Sequence, residues 1–202
     1  MNYGFVRVGA FTPKIKVADT QANTAEIKKL IDQAEKEHTA LAVFPELCIT
    51  GYTCGDLFLQ SRLLNSSREA LEELAVQLAC EKITQEELEE LEKAGENFKK
   101  VLKRSKDITE VAEADVRFHD VIYMATDNQK LIHLLNKLRE QMYRYRVEYL
   151  KNPDVHEQLT QEHEEIVYHI KRREKVEATA VTCQHIDNQV SAVTDKIRTK
   201  NN

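Results

Sequence analysis

The chain has 202 residues, is 42% hydrophobic and 31% charged, and carries a formal net charge of -5. Such a composition supplies core for one medium domain or two small ones. The acidic balance argues against a non-specific nucleic-acid binder, which needs a basic face, and no apolar run approaches the roughly 20 residues of a membrane span.

The N-terminal stretch MNYGFVRVGAF has no charged region followed by a long apolar one, so a secretory signal is not expected and a cytoplasmic protein is. Cys48, Cys54, Cys80 and Cys183 form no CxxC pair and read as reduced thiols. Backbone breakers are unevenly spread. Gly4, Gly9, Pro13, Pro45, Gly51 and Gly55 lie at the start, and only Gly95 and Pro153 follow. A punctuated, β-containing first part is therefore expected, and an almost uninterrupted helical remainder.

In chain order, residues 5–11 (FVRVGAF) read as a short buried strand. Residues 23–38 read as a helix capped by Asn23, with Ile27, Leu30, Ile31 and Ala34 on one face. Residues 40–49 (ALAVFPELCI) read as a second buried strand, which makes a βαβ unit with parallel pairing. Helices are then predicted at 57–81, 84–104, 107–126, 128–150, 154–172 and 174–196. Thr84 with Glu87 forms a capping box, Asp107 with Glu110 resembles one, and Asn128 is a cap. Asn152-Pro153-Asp154 ends one helix and starts the next. Short loops make neighbours antiparallel. The fold class is thus mainly α: an antiparallel bundle of six helices preceded by a small βαβ fragment of α/β type. Two strands and one helix bury little. Residues 1–60 are accordingly expected to be the least stable part, docked on the bundle or paired with a second chain.

The helix at 107–126 carries an anomaly. Its core-facing positions are Ile108, Val111, Asp115, Phe118 and Ile122, so a carboxylate sits in the middle of an apolar stripe, with His119 one turn further on. A second stripe runs Leu159, His163, Ile166, Ile170. His185 follows Ala178 and Val181 at similar spacing. His163 and His185 are nearly equidistant from a turn near Arg173 and Glu174, so an antiparallel hairpin brings them to one height. Asp115, His119, His163 and His185 together suit a divalent transition metal, zinc first and nickel or manganese next. A cation would also remove the cost of a buried unpaired aspartate. The plainer alternative is a structural bundle in which these groups satisfy one another. His38, His133, His156 and His169 have no comparable setting; His156, two turns before His163 on the same face, is the closest impostor.

Residues 68–198 contain REALEELAVQLACEKITQEELEELEKA, EADVRFHDVIYMATDNQKLIHLLNKLREQMYRYR and QEHEEIVYHIKRREKVEATAVTCQHI. This pattern resembles the FCD domain, the effector-binding domain of FadR-type GntR transcription regulators. The motif is D-x3-H on one helix, then an EH histidine, then an H-[LI] histidine about 22 residues later. Asp115, His119, His163 and His185 stand at those positions. The resemblance implies a divalent metal beside a small organic-acid effector, a homodimer, and a cationic partner for the effector, for which Arg139 and Arg146 are the candidates. It also implies a winged helix-turn-helix before the domain; residues 1–67 do not read as one, so no direct DNA binding is expected from this chain.

Residues 3–65, with the run FPELCITGYTCGDLF, resemble the start of the glutaminase domain of glutamine-dependent NAD synthetase, a nitrilase-type amidohydrolase. The resemblance places Glu46 at the general base of a Glu-Lys-Cys triad. The lysine and nucleophilic cysteine of that triad lie beyond the resembling segment, so no enzyme activity is expected. Two domains follow, 1–67 and 68–202. The function expected is a metal-dependent small-carboxylate sensor; the alternatives are a glutamine amidohydrolase fragment and a structural bundle without ligand.

Overall fold

A computed structural model describes residues 6–55 and 60–200. The chain divides into two compact units, Met1–Ala70 and Leu71–Asn202.

In the first unit, strand β1 (Val8–Ala10), helix α1 (Thr20–Lys36) and strand β2 (Leu41–Val43) form the expected βαβ arrangement. The strands pair in parallel, with Val8 opposite Leu41 and Ala10 opposite Val43. Both are shorter than predicted, and Phe5 lies outside the described residues. They are also not buried: Val8, Leu41 and Val43 are each at least half exposed. One helix can cover only one face of a two-stranded sheet, so the alternate side chains stay in solvent. Helix α1 begins three residues before the predicted start. Asp19, not Asn23, is its cap, accepting a hydrogen bond from the Ala22 amide. Asn23 is instead fully buried. It accepts from the Lys16 amide and donates to the Lys16 and Ile49 carbonyls, tying the loop before the helix to the turn after β2. Gly51, at φ 87°, passes close to the Val17 backbone, where a β-carbon would approach to 3.2 Å.

The boundary between the units falls inside α2 (Ser61–Lys82); residues 57–59 of its predicted span lie outside the described residues. The second unit continues with α3 (Gln85–Arg104), α4 (Ile108–Met124), α5 (Gln129–Leu150), α6 (His156–Lys171) and α7 (Lys175–Lys200), with a single 3-10 turn at Pro153–Val155 before α6. These match the predicted helices to within a few residues at each end. Helix α3 packs on α4 and α6, α4 on α5, and α7 on both α5 and α6. The Thr84–Glu87 capping box forms in both directions and supplies about 1 kcal/mol of helix stability. At α4 the box does not form: Asp107 caps the helix by accepting from the Thr109 amide, and Glu110 turns to Arg104.

The core between α3, α4, α5 and α6 is built from Phe98, Val101, Val111, Ala112, Ala114, Tyr149, Leu150 and Leu159. Arg173, in the α6–α7 turn, donates to the carbonyls of Cys80, Glu81 and Ile83, satisfying the orphan acceptors at the end of α2. Cys80 is buried beside them, and burial pushes its thiol up to about 11, so it is an inert core group. All four cysteines are free thiols.

Candidate metal centre

Helix α4 presents Asp115 and His119 one turn apart on its buried face. Helix α6 presents His163 between Leu159 and Ile166, and α7 presents His185 next to Ile186. On α7 the buried neighbour one turn back is Thr182, with Val181 only half-buried. All four site residues are at most 2% exposed. Each offers one ligand atom, and the four atoms lie within 4.8 Å of one another. With metal–ligand bonds of about 2.1 Å no two ligand atoms can stand more than about 4.2 Å apart, so a small inward shift would bring all four onto one cation.

The ring nitrogens are already sorted. Glu162 Oε2 accepts from His185 Nδ1 at 2.8 Å, which leaves the lone pair on His185 Nε2. Gln189 Nε2 lies 3.0 Å and His119 Nε2 3.2 Å from that nitrogen. Asn188 and Gln158 hold the other oxygen of Glu162. Burial raises the Glu162 carboxyl, but the bonds from His185, Asn188 and Gln158 outweigh it and hold the group below the usual range. His163 stacks on Phe118, with ring centres 4.0 Å apart, and Phe98 closes its other side.

Asp115 is the electrostatic centre. Its Oδ2 lies 3.0 Å from Arg146 Nε, and its Oδ1 lies 3.2 Å from His163 Nε2. Both approaches are off-axis, so neither oxygen has a hydrogen bond among the described residues. Burial alone would raise this carboxyl. The Arg146 charge, the contact with His163 and the neighbouring imidazoles reverse that and hold it well below the ordinary carboxylate value. Burial pushes His119 and His163 down; Asp115 pulls them back up only in part, and Arg146 opposes it. The result is an anionic carboxylate facing neutral imidazoles, the protonation state that metal ligation requires. Both His163 nitrogens, His119 Nδ1 and Arg146 Nη1 are also buried without a hydrogen bond among the described residues. So many orphaned donors and acceptors in one place fit a missing ligand.

The two arginine candidates separate. Arg146 on α5 is buried and points into the cluster. Arg139, two turns earlier, forms an ion pair with Asp120 on the partly exposed side of α4 and is not brought to the cluster. The other histidines have ordinary roles: His156 Nε2 bonds the Leu150 carbonyl at 2.8 Å, His169 bonds Glu174, and His133 and His38 are exposed. In the first unit Glu46 is exposed in the turn after β2; Cys48 is half-buried, and the buried Cys54 donates to the Thr50 carbonyl.

Sequence reading missed Glu162 and Gln189. Their signals were present: Glu162 directly precedes a site histidine, and Gln189 stands at i+4 from His185. A cleft of about 350 Å³ between α3 and α6, lined by Glu92, Gly95, Glu96, Thr160 and Glu164, reaches the edge of His163.

Residues 64–188 match the FCD domain family, and residues 7–107 match the carbon-nitrogen hydrolase family. The matches overlap across α2 and α3, so the hydrolase match extends well past the segment read from the sequence. Glutamine-dependent NAD(+) synthetases of Mycobacterium bovis and Mycobacterium tuberculosis are 39% identical over 77 residues, which is 38% of this chain but only 11% of theirs. The uncharacterized HTH-type transcriptional regulator YdhC of Bacillus subtilis is 26% identical over 121 residues, covering 60% of this chain and 54% of YdhC. Among solved structures, E. coli McbR/YncC superposes with a TM-score of 0.61 at 17% identity, covering 95% of this chain and 90% of that one. A GntR-family transcriptional regulator from Pseudomonas syringae gives 0.54 at 14% identity, covering 87% and 71%. At these identities the structural likeness shows a shared fold. By these matches the chain belongs to the FCD domain family over residues 64–188 and to the carbon-nitrogen hydrolase family over residues 7–107.

Proposed function

We propose that the helical unit is a metal-dependent sensor of a small carboxylate, of the kind GntR/FadR-type regulators carry, acting as a homodimer. Asp115, His119, His163 and His185 would hold the cation, zinc first and nickel or manganese next. A divalent cation in that position supplies a Lewis acid for an effector oxygen. One observation carries the effector reading: Arg146 is buried at the cluster with Nη1 unbonded among the described residues, a guanidinium donor with no acceptor. A carboxylate effector supplies that acceptor and can take two parallel bonds. Arg139, already paired with Asp120, has no part in this reading.

The test is calorimetric titration of zinc-loaded protein with a panel of short mono-, di- and tricarboxylates. At least one should bind, and Arg146→Met should weaken it about ten- to a hundred-fold, the worth of a charged hydrogen bond. Asp115 keeps a counter-charge in the metal-loaded protein, so this variant reports on the effector contact. No binding by any acid in the panel, or equal binding by the variant, defeats the reading.

The hydrolase segment contributes no chemistry to this function. Glu46 is an exposed carboxylate, and a thiol nucleophile needs a base and an oxyanion site assembled around it. Ammonia release from glutamine should stay at buffer level; turnover that disappears in Glu46→Gln would show an amidohydrolase instead.

A further inference from the structure

Glu72 has a place in this structure that the metal reading leaves unused. It lies on α2 in a stripe with Ala75, Val76 and Ala79, and it is 1% exposed. A carboxylate is costly in such a place unless it is paired or hydrogen-bonded. Tyr123, one turn beyond His119 on α4, donates its hydroxyl to Glu72 Oε1 at 2.5 Å. The other oxygen, Oε2, faces His119 Nδ1 at 3.9 Å. That nitrogen has no hydrogen bond among the described residues, while Nε2 of the same ring points into the cluster, 3.2 Å from His185 Nε2. The His119 ring is therefore already oriented with one nitrogen toward the metal position and the other toward a carboxylate. His185 has the closed form of this arrangement, with Glu162 Oε2 accepting from its Nδ1 at 2.8 Å.

We infer that Glu72 is the positioning carboxylate of His119: it accepts from His119 Nδ1–H, fixes Nε2 as the ligand atom, and is itself held in place by the Tyr123 hydroxyl. The inference rests on the proposed metal site. The two atoms stand 3.9 Å apart, so a small ring movement would bring them within hydrogen-bond distance were Nε2 to hold a cation. Helix α2 then joins α4, α6 and α7 in building the site, although it supplies no ligand. A carboxylate behind a ligating imidazole sets its tautomer and raises its basicity, and losing one typically costs about 10- to 100-fold in metal affinity.

The experiment uses the full chain and cobalt(II), whose visible absorption reports its ligand field. Glu72→Gln keeps the shape and removes the anionic acceptor. Its cobalt affinity should fall about 10- to 100-fold, and its visible spectrum should shift. Tyr123→Phe keeps the ring but removes the hydroxyl that bonds Glu72 Oε1, and should cause a smaller loss with the same spectral direction. Glu162→Gln is the comparator, acting through His185. If wild-type protein binds no cobalt, the metal site itself is refuted. If wild type binds and both Glu72→Gln and Tyr123→Phe match it in affinity and spectrum, Glu72 is only a tie between α2 and α4 and the inference is overturned. Should Glu72→Gln fail to fold, Tyr123→Phe alone decides: an unchanged spectrum overturns the inference and a shifted one supports it.

Discussion

Asp115→Ala is expected to destabilise the metal-free protein by about 3–5 kcal/mol, the range for removing one partner of a buried ion pair. The reason is Arg146. Its guanidinium is buried and its Nε lies 3.0 Å from Asp115 Oδ2. With the carboxylate gone, a permanent positive charge remains in the bundle, and the neighbouring imidazoles cannot neutralise it. Urea denaturation of chelator-treated protein measures the loss. The paired substitution Asp115→Leu with Arg146→Met should recover most of it, because an apolar pair of similar volume removes the desolvation cost of both charges. The double variant should then be stable and unable to hold a metal. If Asp115→Ala unfolds at the wild-type urea concentration, Arg146 has another counter-ion and Asp115 is not the electrostatic centre.

The second large effect is on metal affinity, and it contrasts two histidines on one helix. His163→Ala should weaken zinc binding by more than about 100-fold, beyond the range for losing an outer-shell partner. His156→Ala should leave affinity unchanged, since its Nε2 is spent on the Leu150 carbonyl. Competition with a chromophoric chelator gives both numbers. His163 also fills space between Phe98 and Phe118, so the metal-free melting temperature must be measured alongside to separate a lost ligand from a cavity. Equal affinities for the two variants would place the ligand set elsewhere.

Much of this site is legible in the sequence because a helix has a fixed period. Asp115 and His119 read together as i and i+4, and the carboxylate stands out against Val111, Phe118 and Ile122. His163 and His185 could be brought to one height because the turn at Arg173 separates them almost symmetrically. Where the period is silent, reading from sequence falters. Arg139 and Arg146 lie two turns apart on one flank, so spacing gives both the same face. Depth in the bundle and the surface carboxylate of Asp120 separate them, and both are tertiary facts. Glu72 stands in an apolar stripe as plainly as Asp115 does, yet it lies beside Glu73 and three residues after Glu69, and in that acidic stretch one carboxylate does not stand out. Asn23 precedes an apolar periodic run, as a cap would, but its amide serves two backbone segments distant in sequence. The strands read as buried from their composition, whereas a sheet of two strands with one helix has only one face to cover.

Metal content decides the central claim most directly. Protein purified without chelator, then exposed to zinc, nickel or manganese and desalted, should carry about one transition-metal ion per chain, as a set of one carboxylate and three imidazoles would hold. Less than about a tenth of an equivalent, with no uptake of any of the three, would contradict it and leave Asp115, His119, His163 and His185 as a buried polar cluster that holds no cation.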